Sequence, residues 1–186
     1  MATSDDSFKM TVATVTLMAN YNRWMNTRMY EAAHDLPEEE LKRDRGAFFG
    51  SIFQTLNHIA VADTIWLHRF SQHPDASGLR GDLMMFPQPD SLRQELAGSL
   101  RELQDHRCKL DKVILDWSET LTSEQLSSLL VYRNMAGQSF SRRLGYLVQH
   151  FFNHQTHHRG QASTLLHQAG IDIGVTDLLA VIPSEA

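Results

Sequence analysis

The segment LVQHFFNHQTHHRGQ contains four histidines, His150, His154, His157 and His158. His154 and His158 are four residues apart, so on an α-helix their rings would lie one turn apart on the same face. Two imidazoles placed in this way can chelate one divalent metal ion, as in the helical HxxxH element of zinc proteases. The glutamate that serves those proteases as a general base is missing, because glutamine follows His154. The spacing alone therefore argues against a metalloprotease, but it suits two partly exposed histidines on a polar helix face as well as it suits a metal site.

The apolar pattern around this pair predicts that both rings lie on the inward face of their helix. Positions recurring every three or four residues, the spacing of a buried stripe, are Leu147, Phe151, His154, His158, Gln161, Leu165 and Gln168. Buried imidazoles need polar partners or a metal, so two of them in the middle of this stripe favour a ligand role. His150 is also four residues from His154, so that pair remains an alternative. His150 and His157 fall on the shoulder of the stripe, and we interpret them as supporting or surface groups.

His58 is the candidate ligand from a second helix. It lies in the mostly apolar helical segment TLNHIAVADTIWLHRF. A lone histidine in such a helix is more often a buried residue with an ordinary hydrogen bond, but a helical bundle offers a facing helix that could carry the HxxxH pair. Three neutral imidazoles would leave a divalent ion with its full charge and an open position, as in catalytic zinc sites. Imidazole suits both Zn²⁺ and Ni²⁺, so we expect one such divalent ion per chain.

Polar residues near these histidines could orient them through hydrogen bonds. The candidates are Asn57, Asp63 and Asn153, although a place on a polar helix surface is the simpler explanation for each. Cys108 lies in the charged stretch DHRCKLDK, with no ligand motif around it. We therefore do not expect Cys108 to be a nucleophile, and any thiol at the site would have to come from solution.

Aromatic residues of the first helical segment could line a pocket beside the site. These are Tyr21 and Trp24, with Asn20 next to them, and burial in the core is the favoured explanation for the two aromatic rings. The other histidines are expected to be exposed to solvent, in loops, on polar faces or near a helix end: His34, His68, His73, His106 and His167.

Four long helical patterns must position these side chains. Apolar residues at helical spacing cover residues 8–34, 50–70, 90–117 and 142–169, with Asp90 or Ser91 as N-cap of the third. The segment SQHPDASGLRGDLMMFPQPD is rich in Pro, Gly and Asp, which predicts a loop. The stretches LLVYRN and QSFSRR flank an Ala-Gly turn, which suits a short hairpin or an irregular crossover. The C-terminal IDIGVTDLLAVIPSEA is expected to be a loop with one short turn. The predicted fold class is all-α, a four-helix bundle with long crossover connections, in one domain over residues 1–186.

Composition excludes several classes of function. The 186 residues include 17 Lys plus Arg and 22 Asp plus Glu, a net charge of −5 with neutral histidines. An acidic chain without a basic run is a poor general binder of nucleic acid. The N-terminal MATSDDSFKM lacks the layout of a signal peptide, and no apolar run is long enough to span a membrane, so we expect no membrane association. With a single cysteine no internal disulfide can form, which is compatible with the expected cytoplasmic location.

Three stretches together resemble the DinB/YfiT-like superfamily, which includes the DNA-damage-inducible DinB proteins. They are ANYNRWMNTRMYEAAHDLPEEELKRD, GAFFGSIFQTLNHIAVADTIWLHRF and HFFNHQTHHRGQ, and the last two are the more specific. The resemblance implies a four-helix bundle of the DinB/YfiT type that holds one divalent metal with three histidines. The positions that match are His58, His154 and His158. It also implies pairing into a homodimer, for which the first and third helices are candidate interfaces.

The resemblance leaves the reaction open. Some relatives are thiol-dependent isomerases or S-transferases that use a low-molecular-weight thiol, and others share only the fold and the metal triad. The open coordination position favours a metal-dependent enzyme, with a thiol-dependent S-transferase or a hydrolase as candidate reactions. The missing general base favours a non-catalytic metal-binding stress-response protein. A DNA-binding response protein is disfavoured by the acidic charge.

Overall fold

The computed structural model describes residues 10–185 and shows a mostly helical chain with one antiparallel hairpin. The α-helices are α1 Val12–Ala33, α2 Glu38–Lys42, α3 Ile52–Phe70, α4 Ser77–Asp82, α5 Leu100–Thr120, α6 Ser123–Ser127 and α7 Leu144–Gln168. The strands are β1 Leu129–Arg133 and β2 Ser139–Arg143, and short 3-10 turns cover Leu83–Met85 and Leu178–Val181. The all-α prediction therefore describes most of the chain, and the hairpin is the exception.

The long helices α1, α3, α5 and α7 enclose the core. Helix α1 packs against α5 and α7, and α3 packs against α7 and α5. In folded proteins most helical stability comes from tertiary packing, so burial of the apolar stripes stabilises these helices more than intrinsic helix propensity does. The large side chains that are almost fully buried include Met29, Tyr30, Leu41, Ile52, Phe53, Ile59, Leu67, Phe70, Phe86, Phe151 and Phe152.

Hydroxyl side chains define where three of the long helices begin. Thr11, Ser51 and Ser99 precede α1, α3 and α5, and each accepts a hydrogen bond from the backbone N–H three residues later. Such a cap satisfies an amide that has no partner inside the helix and contributes about 1 kcal/mol. Because Ser99 is the cap of α5, the predicted cap at Asp90 or Ser91 is wrong.

Asn57 explains why the residues before Ser99 do not extend α5. Its side-chain oxygen accepts from the Leu96 N–H at 2.9 Å, and its amide donates to the Gln94 carbonyl at 2.7 Å. A longer helix would use those same backbone groups internally, so the side chain on α3 competes with helix formation. As a result, residues 92–96 lie beside α3, and the Leu92 carbonyl reaches His58.

The remaining boundaries differ from the predictions mainly in the connections. The ends of α3 and α7 agree with the predicted segments to within two residues, whereas residues 8 and 9 of the first predicted helix lie outside the described part of the chain. The predicted loop after α3 contains α4 and a 3-10 turn, and the turn EEELKRD contains α2. The hairpin alternative is confirmed, and its turn places Gly137 at φ 78°, a conformation that favours glycine.

The C-terminal segment packs along α1. The Tyr21 hydroxyl donates to the Thr176 carbonyl at 2.6 Å, and Arg28 donates to the Ile173 carbonyl at 2.8 Å. The expected short turn is the 3-10 turn Leu178–Val181. Across residues 10–185, none of the helices has the length and apolar character needed to cross a membrane.

Candidate metal centre

The structure brings His58, His154 and His158 together. His58 lies on α3, and the other two lie on the facing helix α7. One ring nitrogen from each lies within 4.8 Å of the others. The ring centroids are 4.3 Å apart for His154 and His158, 4.6 Å for His58 and His158, and 5.4 Å for His58 and His154. His58 and His158 are buried and His154 is half-buried, so the cluster could hold a metal ion and still be reached from one side.

Hydrogen bonds leave the Nε2 lone pairs of two rings free. Nδ1 of His58 lies 3.1 Å from the Leu92 carbonyl oxygen, and Nδ1 of His158 lies 2.7 Å from the side-chain oxygen of Gln161. An amide oxygen only accepts, so each Nδ1 must carry the hydrogen and donate it. Metal-ligating histidines usually show this pattern, which fixes the tautomer and the ring orientation. Gln161 was predicted to lie on the inward stripe, but its role as this acceptor was missed.

A short loop before α3 covers the cluster with an aromatic ring. Phe49 stacks on His58 with a centroid distance of 3.8 Å and contacts His158 edge-on at 5.5 Å. The loop is a tight turn between Gly46 and Gly50, which have φ values of 67° and 83°. Arg93 donates to the Phe48 carbonyl at 3.2 Å and holds the loop from the other side. Phe49 therefore shields one side of the histidines from water.

Burial keeps these histidines neutral. Burial, with a smaller contribution from the neighbouring histidines, lowers the pKa of His58 to about 4 and that of His154 to about 3. The pKa of His158 is also lowered, again chiefly by burial. A metal binds imidazole only in its neutral form, so the cluster is in the binding-competent state at pH 7. The donor set, its protonation and its orientation all fit a divalent ion of the Zn²⁺ or Ni²⁺ kind.

A cleft of about 400 Å³ opens beside the cluster. Its lining residues are Phe48, Phe49, His58, Ala62, Ile65, Trp66, Arg69, Leu92, Arg93, His150, His154 and His158. This volume is in the range of small-molecule sites, which are typically apolar with a few polar groups. Within the described chain the lining contains no carboxylate, so the cleft has no acidic side chain that could act as a general base.

The two competing histidines of α7 lie outside the cluster. His150 borders the cleft with its ring 5.0 Å from Trp66 and 6.1 Å from His154. His157 is exposed, and its Nε2 lies 3.3 Å from the side-chain nitrogen of Gln161. The compact triad therefore uses the His154–His158 pair rather than His150–His154.

The predicted supporting residues have other roles. Asn57 acts indirectly, because it fixes the segment that carries the Leu92 carbonyl. Asn153 is exposed, as a surface polar group would be. Asp63 is fully buried and forms an ion pair with Arg107 at 2.6 Å. The interpretation of Asp63 as a surface group is therefore wrong, and so is the hypothesis that it orients the histidine ligands.

Asp63 belongs to a buried polar network on the other side of α3 and α7. The network comprises Asn22, Asn26, Asp63, Arg107, Asp111, Gln155 and Arg159, all almost completely buried. Arg107 also pairs with Asp111 at 2.9 Å, and Gln155 donates to Asp63 at 2.9 Å. Arg159, which follows the HxxxH pair, donates to Asn22 and does not contact the histidine cluster. No periodic pattern predicts this network, because charged residues at inward positions look like exceptions to the apolar stripe.

The first-helix aromatics and Cys108 are not part of the site. Tyr21 is buried, and its hydroxyl donates a hydrogen bond to the C-terminal segment. The guanidinium carbon of Arg28 lies 5.1 Å from the ring centre of Trp24. Neither ring nor Asn20 lines the cleft, which agrees with the core explanation. Cys108 is exposed on α5, and partial burial raises the pKa of its thiol, so it is no more reactive than an ordinary cysteine.

Three of the histidines expected in solvent are partly or fully buried. His68 is half-buried and bonded to the Phe86 carbonyl at 2.7 Å, and His106 is half-buried, which lowers its pKa to about 4. His73 is buried, and its Nε2 lies 2.8 Å from the Ser128 hydroxyl oxygen. That hydroxyl donates to the Gln125 carbonyl, so the pair joins two segments and is not an activated nucleophile. His34 and His167 are exposed as predicted.

Comparison with known proteins agrees with this architecture. The chain is 28% identical over 159 residues to Protein DinB of Bacillus subtilis, which covers 84% of this chain and 87% of that protein. The crystal structure of a DinB-like protein from Bacillus cereus superposes with a TM-score of 0.62 and 18% identity, over 90% of this chain and 99% of that one. The sequence model of the DinB family matches residues 9–185. Because that match covers nearly the whole chain, the protein belongs to the DinB family.

Proposed function

We propose that the protein is a metal-dependent enzyme that transfers a small thiol to an electrophile. It would hold one divalent ion, Zn²⁺ or Ni²⁺, through His58, His154 and His158. The observation that carries the proposal is a cluster of neutral imidazoles at one end of an apolar cleft that lacks a carboxylate base. A hydrolase would be expected to carry such a base to take a proton from water, whereas a thiol is acidic enough to need none.

The residues of the chain would bind and shield the reactants. A bound divalent ion would supply positive charge that stabilises a thiolate. The Leu92 carbonyl and Gln161 would keep two imidazoles oriented, and Phe49 would exclude water from one side. The thiol sulfur would form a bond to the electrophilic carbon, the leaving group would depart with its electron pair, and the thiol proton would pass to solvent.

Metal analysis of variants tests the ligand assignment. His154→Ala and His158→Ala should each lose nearly all bound metal, because a chelating pair is broken. His157→Ala is the matched control from the same helix and should retain the metal, since His157 is exposed and outside the cluster. Full metal retention in both ligand variants would disprove the assignment.

A thiol-consumption screen tests the reaction. The metal-loaded protein is incubated with common bacterial thiols and a broad panel of electrophiles, and free thiol is measured over time. We expect consumption that a chelator abolishes and that His58→Ala lacks. If no combination turns over while the metal stays bound, a non-catalytic metal-binding stress-response protein is the better account.

We also propose a bundle fold, a dimeric state and a cytoplasmic location for the protein. The packing of α1, α3, α5 and α7 supports a four-helix bundle of the DinB/YfiT type, in one domain over residues 1–186. A homodimer and a cytoplasmic location remain proposals that rest on the sequence. A low-molecular-weight thiol is the proposed second partner.

A further inference from the structure

Among the described residues 10–185, Arg69 is a half-buried cation without an anionic partner. Its guanidinium carbon lies 4.6 Å from the ring centre of Trp66 and 5.5 Å from that of Tyr132. Within residues 10–185, no carboxylate or carbonyl oxygen accepts a hydrogen bond from its side chain. Burial lowers the pKa of Arg69, so its charge is less well solvated than that of a surface arginine. The side chain lines the cleft and offers unused N–H donors to whatever occupies it.

The rest of the cleft favours an anion with an apolar body. Its charged lining residues are Arg69 and Arg93, and the histidines that line it are neutral at pH 7. Arg93 is exposed at the rim and already bonded to the Phe48 carbonyl. Apolar side chains fill the remainder, including Ala62, Ile65 and Trp66. The described part of the chain thus places no negative charge in the lining of the cleft to balance these arginines.

The positions on α3 separate Arg69 from the histidine cluster. His58, Ala62, Ile65 and Arg69 follow one another at intervals of four, three and four residues, so they share one face of the helix. Eleven residues of α-helix correspond to a rise of about 16 Å, and the gap is shorter because both side chains lean towards the N-terminus and the arginine side chain is the longer of the two. An apolar stretch therefore lies between a cation at one end and the histidines at the other.

We propose that this cleft binds a small organic acid, with its carboxylate on Arg69 and its apolar part along Ile65 and Trp66. The planar guanidinium group matches a carboxylate through paired N–H···O bonds, and one arginine suits a single negative charge. The other end of the acid would lie at the histidine cluster. Only that last assignment rests on the proposed function, because contact between the carboxylate and Arg69 needs no metal.

Calorimetric titration tests the proposal on the purified protein. The probes are straight-chain carboxylates from butyrate to decanoate, and the primary amides of the same lengths are their neutral controls. At the length that fits, the acid should bind about tenfold tighter than its amide, as expected for a charged hydrogen bond. Arg69→Gln should abolish this preference and leave the affinity of the amide unchanged. Arg101→Gln, an exposed arginine on α5, is the matched control and should keep it.

Metal removal separates this inference from the proposed function. The preference for the acid should persist in the metal-free protein. If it persists in Arg69→Gln and disappears on metal removal, the acid binds the metal and the inference is overturned. Equal affinity of acids and amides at every length also overturns it, even if thiol turnover is found. Conversely, an Arg69-dependent preference without thiol turnover would leave this inference standing and remove the transferase.

Direct observation of Arg69 covers the case in which Arg69→Gln does not fold. The Nε–Hε NMR signal of Arg69 is assigned by its absence in Arg69→Lys. It should shift during titration with the best acid and stay in place with the matching amide. A signal that the acid does not move would overturn the proposal.

Discussion

Replacement of Arg107 by methionine should strongly destabilise the fold, because it removes the only cation paired with two buried carboxylates in the described structure. Arg107 is 2% exposed and pairs with Asp63 at 2.6 Å and with Asp111 at 2.9 Å. Without it, the amide of Gln155 is the one direct donor to Asp63 among the described residues. Breaking a buried pair from one side typically costs about 3–5 kcal/mol. Methionine preserves much of the side-chain volume, so little of this loss would come from a cavity.

The loss of stability in Arg107→Met should depend on pH, because the carboxyl group of Asp63 titrates. Burial raises the pKa of Asp63 from 3.8 to about 6, against the opposing effect of Arg107. A carboxyl group whose pKa is higher in the folded than in the unfolded protein stabilises the fold at pH values below its unfolded-state pKa. That stability is lost as pH rises through the folded-state pKa. Removing Arg107 raises the pKa of Asp63 further, so the ionised carboxylate costs most at high pH. The loss of stability in Arg107→Met should therefore be larger at pH 8 than at pH 5.

Urea unfolding at both pH values measures the effect. For a chain of this size, a loss of 3–5 kcal/mol corresponds to a fall in Tm of about 10 °C. Exposed Arg101→Met is the matched control and should stay within about 0.5 kcal/mol of the wild type. Adding Asp63→Asn to Arg107→Met should recover part of the loss by removing one unpaired charge. A loss below about 1 kcal/mol, or one that is the same at pH 5 and pH 8, would refute this account of the network.

Three further predictions concern the metal centre and the assembly. Gln161→Leu removes the acceptor of His158 Nδ1 and should weaken metal affinity about tenfold or more in a chelator competition, whereas exposed Gln168→Leu should not change it. The lowered pKa values of His58 and His154, about 4 and 3, predict that the metal-free protein loses stability as pH falls from about 6.5 towards 4. His58→Gln should reduce that loss in urea unfolding at pH 7 and pH 4, and an unchanged slope would contradict the assignment. Light scattering at micromolar concentration should give twice the chain mass of 21.2 kDa, and a monomer mass would exclude the dimer.

The histidine cluster could be located from the sequence because its information is local. Residues four positions apart, such as His154 and His158, lie on the same face of any α-helix. Both ends of α7 were predicted to within two residues. His58 was a candidate because a bundle would offer its helix as one that faces the HxxxH pair, and the resemblance to a family then supported it. The start of α5 could not be predicted, because Asn57 on another helix supplies the hydrogen bonds that end the alternative helix. A competing bond from a residue some forty positions away leaves no trace in helical periodicity.

The roles of Arg69 and Asp63 could not be predicted from the sequence, because they also depend on residues of other elements. In the sequence both are charged residues on α3, and charge normally indicates a solvated face. The structure separates them by their partners. Asp63 is neutralised by Arg107 from α5, whereas within residues 10–185 the Arg69 side chain contacts aromatic rings and borders the open cleft. A buried charge that is paired contributes to a specific fold, and a half-buried charge left unpaired beside a cleft is available to a ligand. That difference in pairing, rather than residue type or spacing, distinguishes the structural charge on α3 from the one that we propose binds an organic acid.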